Sequence, residues 1–100
     1  MKPRLLFIID SDPVASGRAA EAVRIAAGIA VWNQVAVSLY FRGAAAQALG
    51  EDAEELAEGD QIVRSLSALR EAGARILSDA DTSDDALAAL AAEQTTVVRF

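Results

Sequence analysis

The apolar stretch Leu5-Leu6-Phe7-Ile8-Ile9 decides the fold, because it is continuous rather than alternating. A run of this kind is typical of a parallel strand with both faces buried. A second run, Val35-Ala36-Val37-Ser38-Leu39-Tyr40-Phe41, is rich in β-branched and aromatic residues and predicts a second strand. Between the two, residues 14–32 carry Ala19 and Val23 on one side of a predicted amphipathic helix. Together these three elements predict a βαβ unit.

Downstream of residue 41 the chain continues to alternate between helical and strand patterns. The predicted elements are a short helical piece at 44–49, an exposed acidic segment at 51–58, a helix from 60 to 73, a third strand at 74–77, a last helix from 82 and a fourth strand at 95–100. This order predicts an α/β protein with three α/β/α layers and a short, mainly parallel four-stranded sheet. At 100 residues, a single domain is expected over positions 1–100.

Capping residues predict where the helices begin and end. Asp12 or Ser16 is predicted to cap the first helix, and Asn33 to end it in the left-handed conformation. Asp60 is predicted to cap the second long helix, and Thr82 to open the last one.

The composition excludes several classes of function. The chain has no cysteine and no histidine, which removes disulfides, thiolate chemistry and the commonest general base. A formal charge of −6, with scattered basic residues, argues against a nucleic-acid partner. The apolar runs are too short for a membrane-spanning helix, and the N-terminus lacks a signal-peptide pattern. We therefore expect a cytoplasmic protein with no membrane partner.

Ligands of open parallel sheets bind at the carboxyl ends of the strands, so we look for a site there. Polar, glycine and basic residues follow the predicted strands and form the candidate ligand-binding set: Ser11, Asp12, Ser16, Arg42, Gly43 and Ser78. Backbone N–H groups at the start of the first helix are a further anchor for a small anion. The competing interpretation is a capped helix turn without a ligand, since helix N-termini use the same residue types for capping alone.

No metal, cofactor or catalytic residue is predicted. An acidic patch surrounds the start of the last helix and consists of Asp79, Asp81, Asp84 and Asp85. A solvated helix N-terminus explains this patch better than a metal site, because acidic side chains there interact favourably with the helix dipole. Neither glycine-rich phosphate motif occurs after any predicted strand. An enzyme that relies on carboxylates alone remains a third hypothesis for the function.

Trp32 and Tyr40 are the largest amphipathic side chains in a chain with only 5% aromatic residues. We expect both to pack in the core or at a helix end, with a subunit interface as the alternative for either.

Several local strings together resemble the DsrE/DsrF-like family. They are the start Leu5-Leu6-Phe7-Ile8-Ile9-Asp10-Ser11-Asp12-Pro13, the helix Arg18-Ala19-Ala20-Glu21-Ala22-Val23-Arg24-Ile25-Ala26, the strand end Leu39-Tyr40-Phe41-Arg42-Gly43-Ala44, the turn Leu69-Arg70-Glu71-Ala72-Gly73-Ala74 and the end Val97-Val98-Arg99-Phe100. The resemblance covers most of the chain, and its motifs are patterns that reflect the fold and not a catalytic signature.

The resemblance implies a small α/β/α subunit of a dimer, trimer or hexamer, whose active relatives carry sulfur as a persulfide on a cysteine after the third strand. Here that neighbourhood reads Ile76-Leu77-Ser78-Asp79, and Ser78 cannot carry a persulfide. A segment common in the family before the last helix is also absent. The resemblance therefore implies a non-catalytic subunit, in or near a sulfur-relay system, that binds itself or a DsrE-family paralogue. The alternative from the residues is a domain that binds a small molecule or anion through the strand-end loops.

Overall fold

The computed structural model describes residues 2–100, and Met1, which opens the N-terminal segment considered above, lies outside the described residues. Four strands and three α-helices alternate along the chain. They are β1 (Arg4–Ile9), α1 (Arg18–Trp32), β2 (Ala36–Phe41), α2 (Gly59–Glu71), β3 (Arg75–Ser78), α3 (Asp84–Ala92) and β4 (Thr96–Arg99). Two 3₁₀ segments, Gly43–Leu49 and Ala53–Glu55, connect β2 to α2.

The strands form one sheet in the order β3-β2-β1-β4, and every neighbouring pair is parallel. β1 pairs with β2 on one side, with Leu5 opposite Val37, and with β4 on the other, with Leu5 opposite Thr96. This arrangement confirms the predicted α/β fold, with a sheet that is wholly rather than mainly parallel.

The strand order determines which face of the sheet each helix covers. From β1 through β2 to β3 the chain moves in one direction across the sheet, and then β4 returns to the far side of β1. Because parallel crossovers are right-handed, this reversal places α3 on the face opposite α1 and α2. The sheet, with helices on both faces, therefore forms the three α/β/α layers predicted from the sequence.

Two apolar clusters hold the layers together. On the face covered by α1 and α2, the larger cluster includes Phe7, Leu39 and Phe41. On the opposite face, covered by α3, the smaller cluster joins residues of β1, β2 and α3, namely Leu6, Ile8, Tyr40, Leu87 and Leu90. One helix of nine residues thus covers the second face of a sheet whose first face is covered by two longer helices.

α1 buries small side chains, which lets its backbone lie close to the sheet. Its buried residues are alanines except for Val23: Ala19, Ala20, Ala22, Ala26, Ala27 and Ala30. Asn33 ends the helix with φ of 60°, as predicted.

The predicted starts of the helices are wrong by a few residues. α1 begins at Arg18 instead of residue 14, and its cap, Gly17, makes no side-chain bond. Asp12 instead accepts a hydrogen bond from the Val14 N–H at 2.9 Å, closing a turn before the helix. Ser16 accepts from the Arg18 N–H at 3.4 Å, which is too long for a strong cap.

Two further caps also differ from the prediction. α2 is entered from Glu58, which has φ of 58°, and Asp60 lies inside its first turn. Ser83 caps α3 by accepting from the Ala86 N–H at 3.1 Å, while the neighbouring Thr82 hydroxyl donates to Asp81. At α3 the residue next to Thr82 makes the capping bond, whereas at α2 the residue before the helix, Glu58, makes no side-chain cap bond.

Gly59 allows the start of α2 to touch the preceding 3₁₀ segment. A Cβ at this position would lie 2.3 Å from the Glu54 carbonyl oxygen and 2.6 Å from that of Ala53. These are backbone atoms, so a side chain here forces a shift of the main chain.

We predict that Gly59→Ala lowers the free energy of unfolding by about 2 kcal/mol, because it overpacks a backbone contact. Gly28→Ala is the matched control, since a Cβ at Gly28, which is exposed in α1, meets no atom within 4 Å. It should raise stability by roughly 0.5–1 kcal/mol through helix propensity. Urea denaturation measures both, and equal effects of the two substitutions would contradict the close contact at Gly59.

Candidate functional site

The loop between β1 and α1 holds three of the predicted ligand-binding residues. Asp12 accepts the Val14 N–H of this same loop, and Ser16 accepts the N–H of Arg18, the first residue of α1. The Ser11 hydroxyl oxygen is buried and has no hydrogen-bond partner among the described residues. The loop is tied to the start of α2, because the Ala57 N–H donates to the Pro13 carbonyl at 3.0 Å.

The ends of β2 and β3 bring together the other three predicted residues. The Gly43 N–H donates to Oδ2 of Asp79 at 2.8 Å, and the Ser78 N–H donates to Oδ1 of Asp81 at 3.2 Å. Ser78 is buried, whereas Arg42 is half-buried with its guanidinium 5.6 Å from the Tyr40 ring centre. Carboxylates of the chain itself therefore occupy the two backbone donors that an anion would use here.

The crevice between β1 and β4 is the switch point of the sheet, where strand order reverses. Groups at the ends of these strands close it. The carbonyl oxygen of Phe100 accepts the N–H groups of Asp10 and Ser11, both at 3.2 Å. Arg99 pairs with Asp10 at 2.9 Å, with both side chains partly exposed. The usual ligand position of this topology is thus spanned by hydrogen bonds within the chain.

Aromatic packing completes this closure. The Phe100 ring stacks on Phe7 with centroids 5.9 Å apart. Arg18, the first residue of α1, lies with its guanidinium carbon 5.7 Å from the Phe100 centroid. A cation over an aromatic face is favourable. The Arg18 guanidinium, the positive group nearest to the start of α1, is therefore held on the Phe100 ring.

A shallow hollow of about 590 Å³ lies beside the start of α1. Arg18 and Arg24 line it, but so do Glu21 and Glu58. The mixed charges give this hollow no net attraction for an anion, despite the helix N-terminus beside it.

The six predicted site residues therefore share one edge of the sheet. Most of their hydrogen bonds are to nearby groups of the strand-end loops. Sequence reasoning missed the roles of Asp79 and Asp81 as hydrogen-bond acceptors. Their signal is the position of Asp79 directly after β3 and of Asp81 two residues later, because aspartate commonly closes a turn.

Nothing in residues 2–100 supplies a cluster of three or more Asp, Glu, His or Cys side chains suited to hold a metal ion. Over the same residues, no helix combines the length and the apolar character needed to cross a membrane.

A larger cavity, of about 620 Å³, lies at the opposite edge of the sheet, where the strands begin. Its lining includes Arg4, Ser38, Arg75 and Gln94, none of which belongs to the predicted set. These residues are far apart in sequence, and no motif links them.

Comparisons with known proteins return no matching family model, no matching curated protein and no matching solved structure. The resemblance to the DsrE/DsrF-like family stays a prediction from the sequence.

We predict that Asp79→Ala destabilises the carboxyl edge by about 1 kcal/mol, because it leaves the Gly43 N–H without its acceptor. Amide exchange at Gly43 should accelerate by about fivefold or more, which corresponds to that loss. Asp52→Ala is the control, because Asp52 is exposed and its side chain caps no helix. Unchanged exchange at Gly43 in the Asp79 variant would show that this carboxylate does not hold the loop.

Proposed function

We propose that this protein is a non-catalytic α/β subunit that acts by binding a second copy of itself, in the manner that a DsrE-like chain without the persulfide cysteine would. A place in or near a sulfur-relay system is part of the same proposal and derives from the sequence resemblance alone. The absence of cysteine and histidine supports a role in binding over a role in chemistry.

The exposure of Trp32 is the observation that carries the proposal. This side chain, the only tryptophan of the chain, is 66% exposed at the end of α1, and the adjacent Val31 is 65% exposed. Tyr40, in contrast, is buried in the smaller cluster, so the expected core packing holds for Tyr40 and is wrong for Trp32. Exposed tryptophan is costly in water and is enriched among residues that dominate protein interfaces.

A shallow groove of about 440 Å³ lies between the ends of α1 and α2, and its lining includes Val31 and Asn33, the chain neighbours of Trp32. Small side chains, Ala30, Ala68 and Ala72, form much of its wall, and Glu71 borders it. A flat aromatic ring suits such a groove, and the Glu71 carboxylate provides an acceptor for an indole N–H.

We infer that the exposed Trp32 and the groove lined by its chain neighbours Val31 and Asn33 together form the contact surface of a two-fold dimer. In such a dimer the same patch is used by both subunits, so the Trp32 of each copy enters the groove of the other. We define this Trp32 surface as Val31, Trp32 and the groove residues Ala68 and Glu71. Reciprocal insertion covers the exposed apolar side chains of both copies at once.

The alternative function, anion binding at the carboxyl edge, receives less support from the geometry. The backbone donors of Val14, Gly43 and Ser78 already bond to carboxylates of the chain. An incoming anion would have to displace these groups, and the net charge of −6 opposes its approach.

We predict that the protein is a dimer whose dissociation constant rises by about thirtyfold or more in Trp32→Ala, as expected for removal of an interface hot spot. Light scattering coupled to size exclusion measures the mass over a range of concentrations. Tryptophan fluorescence gives a second readout, because emission from Trp32 should shift to shorter wavelength as the dimer forms.

Ala68→Arg, which fills the groove, should dissociate the dimer without altering the tryptophan. Val14→Ala is the control, since Val14 is 64% exposed in the β1–α1 loop at the opposite edge of the sheet. A wild-type protein that keeps the mass of one chain at millimolar concentration, or a Trp32→Ala protein that dimerises as tightly as wild type, would refute the proposal.

A further inference from the structure

The two edge strands of the sheet, β3 and β4, differ in how their outer backbone groups are satisfied. Alternate residues of an edge strand direct their N–H and C=O groups away from the sheet. A row of such groups without partners is a template for pairing with another strand. The hydrogen bonds at the two edges therefore show which of them is open.

The outer groups of β3 are partly occupied by the chain itself. The Asp79 N–H donates to the Phe41 carbonyl of β2, so by alternation Ser78 directs its N–H and C=O groups outward. The Ser78 N–H donates to Oδ1 of Asp81 at 3.2 Å, and the Ser78 carbonyl accepts the Asp81 N–H at 3.3 Å. The turn that follows β3 therefore blunts this edge.

The outer groups of β4 have no such cover. The Phe100 N–H donates to the Ile8 carbonyl at 2.9 Å, so Phe100 faces β1. By alternation Val98 faces β1 as well, whereas Val97 and Arg99 direct their N–H and C=O groups outward. Within residues 2–100, no hydrogen bond from a turn, a loop or a side chain reaches these four outward groups.

The free edge of β4 is also accessible. α1 packs chiefly on β1 and β2, and α3 contacts the same two strands through Leu87 and Leu90. Three of the four residues of β4 are exposed, and Val97 is 40% exposed. The helices on the two faces of the sheet therefore leave room for a strand beside β4.

β4 lacks the devices that usually prevent an edge strand from pairing, which are proline, a bulge or a free charged side chain. Its register with β1 continues without interruption from Thr96 to Arg99, and it contains no proline. Its one charged side chain, Arg99, is paired with Asp10 at 2.9 Å. Threonine and valine, which make up the rest of the strand, favour extended structure.

The sequence of β4 fits a second copy of itself. In an antiparallel pair centred on Val97, the two copies of Val97 exchange both N–H···O bonds across a two-fold axis. Val98 is then opposite Thr96, which is a favourable pair of β-branched side chains, and Arg99 is opposite Thr95. In this register the single charge of the strand does not meet its own copy.

We propose that β4 pairs with β4 of a second copy of this chain, so that two four-stranded sheets join into one. Two strands of four residues bury less area than a stable interface, so the pairing is weak alone and adds to other contacts between copies. The proposal does not rest on the Trp32 surface. Val97 is opposite Leu6 on the face that α3 covers, whereas Trp32 belongs to α1 on the other face.

Disulfide trapping tests the pairing, because the chain has no cysteine of its own. Cα atoms of a hydrogen-bonded antiparallel pair lie about 5.5 Å apart, which a disulfide can span. In a glutathione redox buffer, Val97→Cys should form a cross-linked dimer at least about tenfold faster than Val14→Cys, because pairing raises the effective concentration of the two thiols. Val14 is the more exposed residue, at 64% against 40%, so chance collisions favour the control.

A non-covalent measurement checks the same contact. The amide shifts of Val97 and Arg99 in labelled wild-type protein should change with protein concentration. Val97→Lys places like charges opposite each other and should weaken this association by about tenfold or more. Val97→Thr keeps the β-branched shape and should stay within about twofold of wild type, with the remaining amide spectrum of both variants showing an intact fold.

Repeating the trapping in the Trp32→Ala background separates the two contacts, because the β4 pairing should persist there. Loss of trapping in that background would show that the Trp32 contact brings the thiols together, and the proposal would fall. Equal rates for Val97→Cys and Val14→Cys, or unchanged association in Val97→Lys, would also overturn it. A peptide of residues 94–100 should slow trapping. If an unrelated extended peptide slows trapping equally, the edge accepts any strand and the assignment to a second copy is wrong.

Discussion

The return of β4 to the free side of β1 is the constraint on which the rest of this structure depends. Right-handed crossovers then force α1 and α2 to one face of the sheet and leave α3 alone on the other. The asymmetry follows directly: a large alanine-lined core on one face, and a small cluster around Tyr40 on the other. The cavity at the amino edge is lined by residues at the ends of all three helices, among them Ala30, Ala72 and Leu90.

The same constraint explains the state of the carboxyl edge. With β4 beside β1, the residue after β4, Phe100, lies at the switch point and fills the space that a ligand occupies in many proteins of this topology. Asp79 satisfies the nearby donor at Gly43. Most polar groups of this edge therefore hold loops in place, although the buried Ser11 hydroxyl oxygen lacks a partner among the described residues.

The sequence allowed the elements to be predicted more fully than the site. Continuous apolar runs such as Leu5-Leu6-Phe7-Ile8-Ile9 identify buried parallel strands, and Asn33 marks a helix end, because both signals are local. The Thr82 cap assignment failed because the neighbouring Ser83, of similar chemistry, makes the capping bond, and the Asp60 assignment failed because α2 begins one residue earlier, at Gly59. The exposure of Trp32 agrees with helical spacing, since a residue two positions after the buried Ala30 lies about 200° around the helix. The expectation of packing failed because it followed the size of the side chain instead of its position.

The cavity at the amino edge could not be predicted from the sequence, for a different reason. Arg4, Ser38 and Arg75 come from three strands, and only the register of the sheet places them together. An arginine near the start of a strand has no distinctive local pattern. Such a site requires the strand order, which single-sequence patterns do not specify.

Strand pairing across almost the whole length of the chain also has a consequence for biosynthesis. β1 is translated before the other three strands, yet its second edge stays unpaired until residues 96–99 have been translated. Through that interval an apolar strand offers an open edge to other nascent chains, which favours aggregation. Slow final closure, and a benefit from chaperones that shield extended segments, are the expected results of this topology.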